Sequence, residues 1–233
     1  MDQKLEALDL FAGCGGLSLG FEQAGFDVIA ANDKWKVALE TFKNNHPRVK
    51  TILGNLAKEV VQRKICRLTG KIDVIIGGPP CQAYSLAGSR DPEDPRGKLF
   101  ESYVEIVKRL QPNIFVIENV KGILSMKHFK KNVPITEKKR ILELIKKRKS
   151  KKKKVSIEGL NSKLEDYLIP VPELIRLTFD NIGYKVNWNT LNAADYGVPQ
   201  ERRRVFFVGT NLKKTPAFPF PTHSKDPDRK SVV

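Results

Sequence analysis

A cysteine follows a short apolar run near the middle of the chain. Residues 73–77 read Asp-Val-Ile-Ile-Gly, which is typical of a buried strand, and Gly78-Pro79-Pro80 allow neither helix nor strand to continue before Cys81. In open α/β sheets ligands bind beyond the carboxyl ends of the strands, so a thiol at this position can act as a nucleophile. The alternative is an inert cysteine, because free cysteine is among the most buried residue types.

A carboxylate follows a second apolar run. The stretch 113–120, Asn-Ile-Phe-Val-Ile-Glu-Asn-Val, predicts a strand whose end carries Glu118. In a parallel sheet Glu118 would emerge at the same edge as Cys81, whereas the alternative is a surface residue that opens the next element. Further along, Arg202 and Arg204 would point to the same side of a strand that begins there.

A glycine-rich loop near the start of the chain is typical of a nucleotide site. The predicted strand 5–11 is followed by residues 12–20, Ala-Gly-Cys-Gly-Gly-Leu-Ser-Leu-Gly, and then by a helical pattern that ends at Gly25. Gly13 and Gly15 permit a tight turn and the close approach of a ligand to the backbone, as in a nucleotide-binding βαβ unit. An ordinary tight loop is the alternative interpretation.

An acidic residue strengthens the nucleotide interpretation. The predicted strand 26–31 is followed by Asp33, close to the separation from the loop at which a carboxylate meets a ribose. Together the loop and Asp33 favour an adenosine-containing cofactor. They do not distinguish a dinucleotide from S-adenosylmethionine, although Ser18 stands where the dinucleotide fingerprint has its third glycine. Gly54-Asn55 is either another contact to the adenine or an ordinary turn.

Apolar patterns predict the elements that position these groups. Helices are predicted at 34–44, 58–68, 99–110 and 172–181, and further strands at 51–53, 184–191 and 204–209. In the first of these helices Trp35 shares a face with Ala38, Leu39 and Phe42, for which core packing is the simplest interpretation. The polar stretch after Cys81, through Pro95, predicts a mobile lid.

Composition limits the class of protein. The chain has 233 residues, of which 40% are hydrophobic and 29% charged, which fits one α/β domain. No run approaches a membrane span, and a strand pattern from Leu5 leaves no room for a cleavable signal, which predicts a cytosolic protein. Three cysteines without paired spacing and three scattered histidines disfavour a disulfide framework or a metal site.

The net charge of +16 is concentrated in one segment. Residues 127–154 contain 14 lysines or arginines and 2 acidic residues, so they carry +12 of the total. Such runs are most often solvated, and phosphate-backbone binding is the alternative. A helix is predicted to start near Thr136, and the proline-rich residues 215–233 are predicted to be a linker.

Four motifs in order resemble those of the cytosine-5 DNA methyltransferases. They are Asp9-Leu10-Phe11-Ala12-Gly13-Cys14-Gly15-Gly16, Gly78-Pro79-Pro80-Cys81-Gln82, Glu118-Asn119-Val120 and Gln200-Glu201-Arg202-Arg203-Arg204. Residues 94–100 are similar to the family's segment after the catalytic loop. The resemblance implies a Rossmann-like fold of S-adenosylmethionine-dependent methyltransferases in residues 1–214, α/β with a mostly parallel sheet and a C-terminal antiparallel hairpin.

The resemblance also implies a role for each matched residue. Phe11 would stack on the adenine, Asp33 would hold the ribose hydroxyls and Pro80 would line the S-adenosylmethionine pocket, together with Gly13, Gly15, Gly16, Leu17, Lys34 and Asn55. Cys81 would be the nucleophile, Glu118 would contact the third ring nitrogen of cytosine, and Arg202 and Arg204 would support a flipped base and its phosphate. Gln82, Ser85, Arg96 and Asn119 would contact the substrate.

Activation of the thiol alone is too small an effect to carry this chemistry. Full ionisation of an ordinary thiol gains roughly thirtyfold, about 2 kcal/mol, whereas enzymes typically supply at least about 8 kcal/mol. The cytosine ring must therefore also be polarised. Glu118 can do so only if it carries a proton when it meets the base, so we expect burial to favour its protonated form.

Two departures from the family pattern qualify these expectations. Asn55 stands where the family usually has an aspartate at the adenine amino group, which predicts weakened cofactor binding. The family's target recognition domain and late motifs do not follow Val233. This predicts one half of a split enzyme whose partner supplies those parts, or a truncated chain.

The functional expectation is a cytoplasmic, nucleoid-associated enzyme of a restriction-modification system. It would methylate cytosine in double-stranded DNA, with a second polypeptide for target recognition. One alternative keeps the chemistry but makes tRNA the substrate. Another is a catalytically silent, regulatory DNA-binding module, against which intact Cys81, Glu118 and Arg204 argue. A nicotinamide-dependent oxidoreductase is the most distant alternative.

Overall fold

Strands and helices alternate along the first half of the chain in the computed structural model, which describes residues 4–80, 97–130, 132–150 and 166–223. Its strands are β1 (Glu6–Leu10), β2 (Asp27–Asp33), β3 (Lys50–Leu53), β4 (Val74–Gly77), β5 (Ile114–Val120), β6 (Lys127–Phe129), β7 (Leu168–Pro170), β8 (Lys185–Asn192) and β9 (Arg203–Thr210). Its helices are α1 (Gly16–Gln23), α2 (Lys36–Asn45), α3 (Glu59–Thr69), α4 (Gly97–Leu110), α5 (Ile135–Ser150) and α6 (Val171–Asp180).

The described strands form one large sheet in the order β3-β2-β1-β4-β5-β9-β8 and a small pair, β6-β7. Strands β1 to β5 are parallel, and β9 lies antiparallel between β5 and β8. The mostly parallel sheet with a C-terminal antiparallel hairpin confirms the fold class. The chain builds β2 and β3 on one side of β1 and β4 and β5 on the other, so the strand order reverses between β1 and β4. Ligands bind at such a switch point in open α/β sheets.

Helices cover both faces of the sheet, as a parallel sheet requires. Alternate residues of β1 point to opposite faces, where Leu8 and Leu10 join one buried cluster and Ala7 joins the other. The first cluster contains Tyr103 of α4 and Phe179 of α6, and the second contains Phe42 of α2 together with Leu17 and Phe21 of α1. The sheet is therefore fixed from both sides, and its carboxyl edge is left for the site.

One sequence prediction about packing is wrong. The apolar pattern predicts Trp35 in the core, but the residue is 64% exposed. Helix α2 begins only at Lys36, and the Trp35 backbone N–H is bound to the Asp33 carboxylate at 2.8 Å. The tryptophan therefore precedes the helix, and its side chain does not share the buried face of Ala38, Leu39 and Phe42.

The described part of the lysine-rich segment contains a strand and a helix. Its first residues form β6, which pairs antiparallel with β7, and the predicted helix near Thr136 is α5. The pairing of His128 with Ile169 brings β6, before α5, next to β7, which follows α5 in the chain. The polar stretch predicted to be a lid lies outside the described residues.

The proline-rich tail is hydrogen-bonded to the domain as far as it is described. The Asn187 side chain donates to the Pro216 carbonyl at 3.1 Å, and Tyr196 Oη donates to the Pro219 carbonyl at 3.0 Å. The backbone N–H groups of Thr222 and His223 both donate to the Asp195 carbonyl at 2.9 Å. Its function as a linker stays a prediction. Among the described residues, no helix is both long and apolar enough to cross a membrane.

Candidate active site

Two cavities meet at the switch point between β1 and β4. The larger, about 540 Å³, contacts Gly16, Leu17, Glu118, Arg202 and Arg204, and the smaller, about 170 Å³, contacts Asp33, Lys34, Asn55 and Pro80. Phe11 and Gly78 line both cavities. The structure thus brings together residues from motifs that lie up to about 200 positions apart in the chain.

Phe11 stands at the boundary of the two cavities in an unusual backbone conformation. Its φ is +60°, a left-handed value that non-glycine residues seldom adopt. The neighbouring Ala12 N–H donates to the Asn32 carbonyl at 3.0 Å, which fixes the chain as it leaves β1. This conformation places the Phe11 ring where both cavities contact it.

Asp33 holds the glycine loop and keeps acceptor capacity. Its Oδ2 accepts the Gly13 N–H at 3.0 Å, and its Oδ1 accepts the Trp35 N–H at 2.8 Å. A carboxylate offers about four lone-pair sites, so each oxygen of Asp33 can accept one further hydrogen bond. Asp33 can therefore bind a pair of hydroxyl groups in the smaller cavity while holding the loop.

The Asn55 side chain also accepts a backbone hydrogen bond and can accept another. Its Oδ1 accepts the Ala57 N–H at 3.0 Å. An amide oxygen has two lone pairs, so one remains for a donor in the smaller cavity. Close by, Asn32 is buried and donates to the Ile52 carbonyl at 2.8 Å and the Gly54 carbonyl at 3.1 Å, which ties β2 to the end of β3.

Glu118 and Arg204 form an ion pair in the wall of the larger cavity. Arg204 Nε donates to Glu118 Oε1 at 2.8 Å, and their side chains are 24% and 28% exposed for Arg204 and Glu118 respectively. A Cβ on Gly78 would lie 3.3 Å from Glu118 Oε2, so glycine at this position leaves room for the carboxyl group. The expected burial of Glu118 is only partial, because more than a quarter of its side chain is exposed.

The two arginines reach the larger cavity from the start of β9. Arg202 precedes the strand, and its backbone N–H donates to Asn192 Oδ1 at 3.0 Å. The Asn192 side chain also donates to Glu201 at 3.0 Å. This local network closes the connection between β8 and β9, so that Arg202 and Arg204 both line the cavity.

Asn119 supports the turn that leads to Cys81. The Asn119 side chain is buried, donates to the Pro79 carbonyl at 2.9 Å and accepts the Val120 N–H at 2.9 Å. Its amide group is thus engaged within the protein, and its expected contact with a substrate stays a prediction. The structure adds a positioning role that the sequence did not indicate.

Four of the expected site residues lie outside the described residues, so their roles stay predictions: Cys81, Gln82, Ser85 and Arg96. Gly13 and Gly15 shape the loop, with φ values of +55° and +94°, whereas Gly16 and Leu17 contact the larger cavity.

Asp9 is a site residue that sequence reasoning missed. It contacts the larger cavity, is 1% exposed and accepts the Ser18 hydroxyl hydrogen bond at 2.6 Å. Burial, opposed by that hydrogen bond, raises the pKa of Asp9 from 3.8 to about 7. The hydroxyl at position 18 explains why serine stands where a dinucleotide fingerprint has glycine. An aspartate in a buried strand was the one available signal.

Aromatic and aliphatic residues of the antiparallel hairpin were also missed. Leu191, Ala193, Tyr196 and Phe206 contact the larger cavity. They belong to β8, β9 and the turn between them, and apolar residues in such elements give no sign in the sequence of which face they line.

Comparison with known proteins identifies the family. The sequence model of the C-5 cytosine-specific DNA methylases matches residues 5–155 and 171–232. The chain belongs to this family. The resemblance read from the four motifs is therefore confirmed.

Individual members of the C-5 cytosine-specific DNA methylase family show how much of a typical member is present. The Type II methyltransferase M.DdeI of Desulfomicrobium norvegicum is 40% identical over 206 residues, which cover 88% of this chain and 40% of the relative. M.AquIA, a Type II methyltransferase of a Picosynechococcus species, is 35% identical over 229 residues, which cover 96% of this chain and 78% of the relative. The chain spans about half the length of most of the curated relatives that it matches.

A solved structure agrees with the fold. The crystal structure described as a DNA modification methyltransferase encoded within an E. coli prophage superimposes with a TM-score of 0.58 at 28% identity. The match covers 89% of this chain and 47% of that protein.

Proposed function

We propose that this chain is the cofactor-binding and catalytic part of a DNA (cytosine-5-)-methyltransferase of a restriction-modification system. It transfers a methyl group from S-adenosylmethionine to carbon-5 of cytosine in double-stranded DNA, through a covalent cysteine adduct on a flipped base. The observation that carries the proposal is the pair of cavities joined at Phe11 and Gly78, with Asp33 in the smaller one and the Glu118–Arg204 pair in the larger one.

The smaller cavity fits an adenosine. It combines the Phe11 ring with the Asp33 carboxylate and the Asn55 amide, both of which have lone pairs left for donors. These groups match a purine face, a ribose diol and an exocyclic amino group. S-adenosylmethionine, when bound, supplies a methyl group activated by its sulfonium. The loop residues Gly16 and Leu17 would hold its amino acid part in the adjoining cavity.

The larger cavity fits the edge of a nucleobase and its phosphate. Glu118, Arg202 and Arg204 supply hydrogen-bonding groups there, and arginine is well suited to phosphate oxygens. A cytosine in a duplex reaches such a cavity only when flipped out, which costs a few kcal/mol for this class of enzyme. The Arg204 guanidinium orients the Glu118 carboxyl group at the cavity wall.

In the proposed reaction Cys81, as a thiolate, bonds to carbon-6 of the cytosine. The electron pair of the 5,6 double bond moves into the ring, carbon-5 becomes nucleophilic, and Glu118 donates a proton to the third ring nitrogen. Carbon-5 then bonds to the methyl carbon of S-adenosylmethionine, the bond from that carbon to the sulfonium sulfur breaks, and S-adenosylhomocysteine leaves with the electron pair on sulfur. Removal of the carbon-5 proton by a base expels the Cys81 thiolate and restores the double bond, and the proton on the ring nitrogen returns to Glu118.

Target recognition is proposed to come from a second polypeptide. The match covers 40% of M.DdeI and 78% of M.AquIA, so members of the family differ widely in how much lies beyond the part seen here. The tail, held to Asp195 and Tyr196, would lead from the larger cavity toward that polypeptide.

Methyl incorporation tests the proposal. The chain is purified with the polypeptide encoded by the neighbouring reading frame, and transfer of labelled methyl groups from S-adenosylmethionine into duplex DNA and into tRNA is compared. We expect label in cytosine of the duplex, and none with Cys81→Ser. Label in tRNA alone would establish the RNA substrate instead. Absence of label from both would support a catalytically silent module.

A further inference from the structure

His46 lies directly after α2 and contacts both α1 and the glycine loop. Its Nδ1 is 2.9 Å from Glu22 Oε2 in α1, and its Nε2 is 3.2 Å from the Gly15 carbonyl oxygen. The His46 side chain is 2% exposed, and its ring packs on Phe42 with a centroid distance of 4.5 Å. Neither its sequence position nor any motif marks this histidine.

The two polar neighbours of His46 hold its ring in one orientation. The Gly15 carbonyl can only accept, so its contact with Nε2 is a hydrogen bond in which the ring nitrogen donates. The contact of Nδ1 with Glu22 at 2.9 Å lies on the other side of the ring and keeps Nε2 directed at Gly15.

The Gly15 carbonyl links the loop to both α1 and the end of α2. Gly15 adopts φ +94° and caps α1, and its carbonyl also accepts the Leu19 N–H at 2.9 Å. A Cβ at this position would lie 2.4 Å from His46 Nε2, so only glycine allows the ring to approach. The next two residues, Gly16 and Leu17, contact the larger cavity.

Elements outside the loop hold it at three consecutive residues. Asp33 of β2 binds the Gly13 N–H at 3.0 Å, Asn45 of α2 donates to the Cys14 carbonyl at 3.5 Å, and His46 donates to the Gly15 carbonyl. Of these three contacts, the last is the most buried. The end of α2 thus shapes the loop before any ligand arrives, which lowers the ordering cost of binding.

We propose that His46 is a positioning residue for S-adenosylmethionine: held in place by Glu22, it donates from Nε2 to the Gly15 carbonyl and so fixes the loop that binds the methionine part of the cofactor. This inference rests on the proposed function, because it takes S-adenosylmethionine as the ligand of the loop.

Two substitutions separate the bond to Gly15 from the packing of the ring. In His46→Gln the amide nitrogen extends to about the place of Nε2 and can still donate to Gly15, whereas in His46→Asn it reaches only the place of Nδ1, beside Glu22. Both variants lose the ring contact with Phe42. We expect His46→Asn to weaken S-adenosylmethionine binding by isothermal titration calorimetry about tenfold, the effect of one hydrogen bond, and His46→Gln to weaken it less than about threefold. Equal losses in the two variants would overturn the positioning role.

Nitrogen-15 NMR of the histidine rings in the full chain tests the bond to Gly15 directly. We expect one ring whose Nε2 carries a proton protected from exchange with solvent, a signal that is absent in His46→Gln and retained in the control His128→Gln. In Glu22→Gln we expect that proton to be retained and the cofactor affinity to stay within about threefold, because the amide introduced by this substitution can still pair with Nδ1. A His46 Nε2 without a proton in the natural chain would overturn the inference, even if the His46 variants fail to fold.

Failure of the proposed function has a different signature. In that case the natural chain does not bind S-adenosylmethionine, whereas the proton on His46 Nε2 is still observed. Binding by the natural chain together with undiminished binding by His46→Asn would instead retain the function and reject the role of His46.

Discussion

At the scale of single residues, the Glu118–Arg204 ion pair sets the chemistry expected of the larger cavity. One carboxyl oxygen of Glu118 is held by Arg204 at 2.8 Å, and the other faces the position of Gly78. The group can thus be oriented toward a ring nitrogen without being fully buried. In the proposed reaction it supplies a proton to the ring when the thiolate adds.

Substitution of Glu118 by glutamine removes the acidic proton and preserves the shape of the side chain. Glu118→Gln keeps a hydrogen-bond acceptor for Arg204 but has no acidic proton to transfer. We expect DNA binding to stay within about threefold and single-turnover methyl transfer to fall on the order of 10²-fold, as for loss of a general acid. Glu59→Gln is the matched control, because Glu59 is also paired with an arginine, Arg109 at 3.0 Å, but lies away from both cavities. Unchanged methyl transfer in Glu118→Gln would remove Glu118 from the mechanism.

The buried carboxyl of Asp9 predicts a pH dependence of stability. Its pKa is raised by burial from 3.8 to about 7, so the folded chain keeps this proton over a range in which the unfolded chain loses it. The free energy of unfolding should therefore fall as the pH rises from about 4 to about 7, by on the order of 2–4 kcal/mol from this group. Asp9→Asn cannot ionise and lacks that contribution.

Urea denaturation of both chains at about pH 4.5 and 7.5 measures the Asp9 effect. We expect Asp9→Asn to gain stability relative to the natural chain at the higher pH. A stability difference that is the same at both pH values would show that Asp9 is already ionised in the folded chain at the lower pH.

At the scale of elements, local patterns predicted most strands and helices because their signals are local. The run Val74 to Gly77 is apolar and ends at Gly78 and two prolines, and β4 ends there. The start of α2 was misplaced by two residues, since the Asp33 carboxylate binds the Trp35 N–H before the helix begins. The pair β6-β7 was missed, because each strand has three residues and the partners Phe129 and Leu168 are far apart in sequence.

At the site, too, local signals could be predicted from the sequence and contacts between distant residues could not. The residues of the four motifs could be predicted because each motif has a distinctive composition. The residues that position them could not, since their partners are distant: His46 acts on Gly15, 31 residues away, and Asn119 acts on Pro79, 40 residues away. A lone histidine or asparagine carries no sign of such a partner until the sheet order is known.

At the scale of the whole molecule, the sheet order explains how a short chain assembles both cavities. The reversal between β1 and β4 separates the ends of two neighbouring strands, and β9, inserted beside β5, brings Arg204 opposite Val120 and within 2.8 Å of Glu118. Both cavities are therefore built within the described part of the chain. The chain covers 40% to 54% of three of its curated relatives, and the second polypeptide for target recognition stays a proposal.

The central claim is that the Cys81 thiolate bonds to a flipped cytosine, and trapping that bond tests it most directly. The chain and the proposed companion polypeptide are incubated with S-adenosylmethionine and a duplex that carries 5-fluorocytosine at the target. Fluorine leaves no proton to remove from carbon-5, so the adduct cannot resolve. Mass spectrometry should find the methylated oligonucleotide attached to the peptide that contains Cys81, and nothing attached in Cys81→Ser. An adduct that persists in Cys81→Ser, or no adduct with the natural chain, would contradict the account.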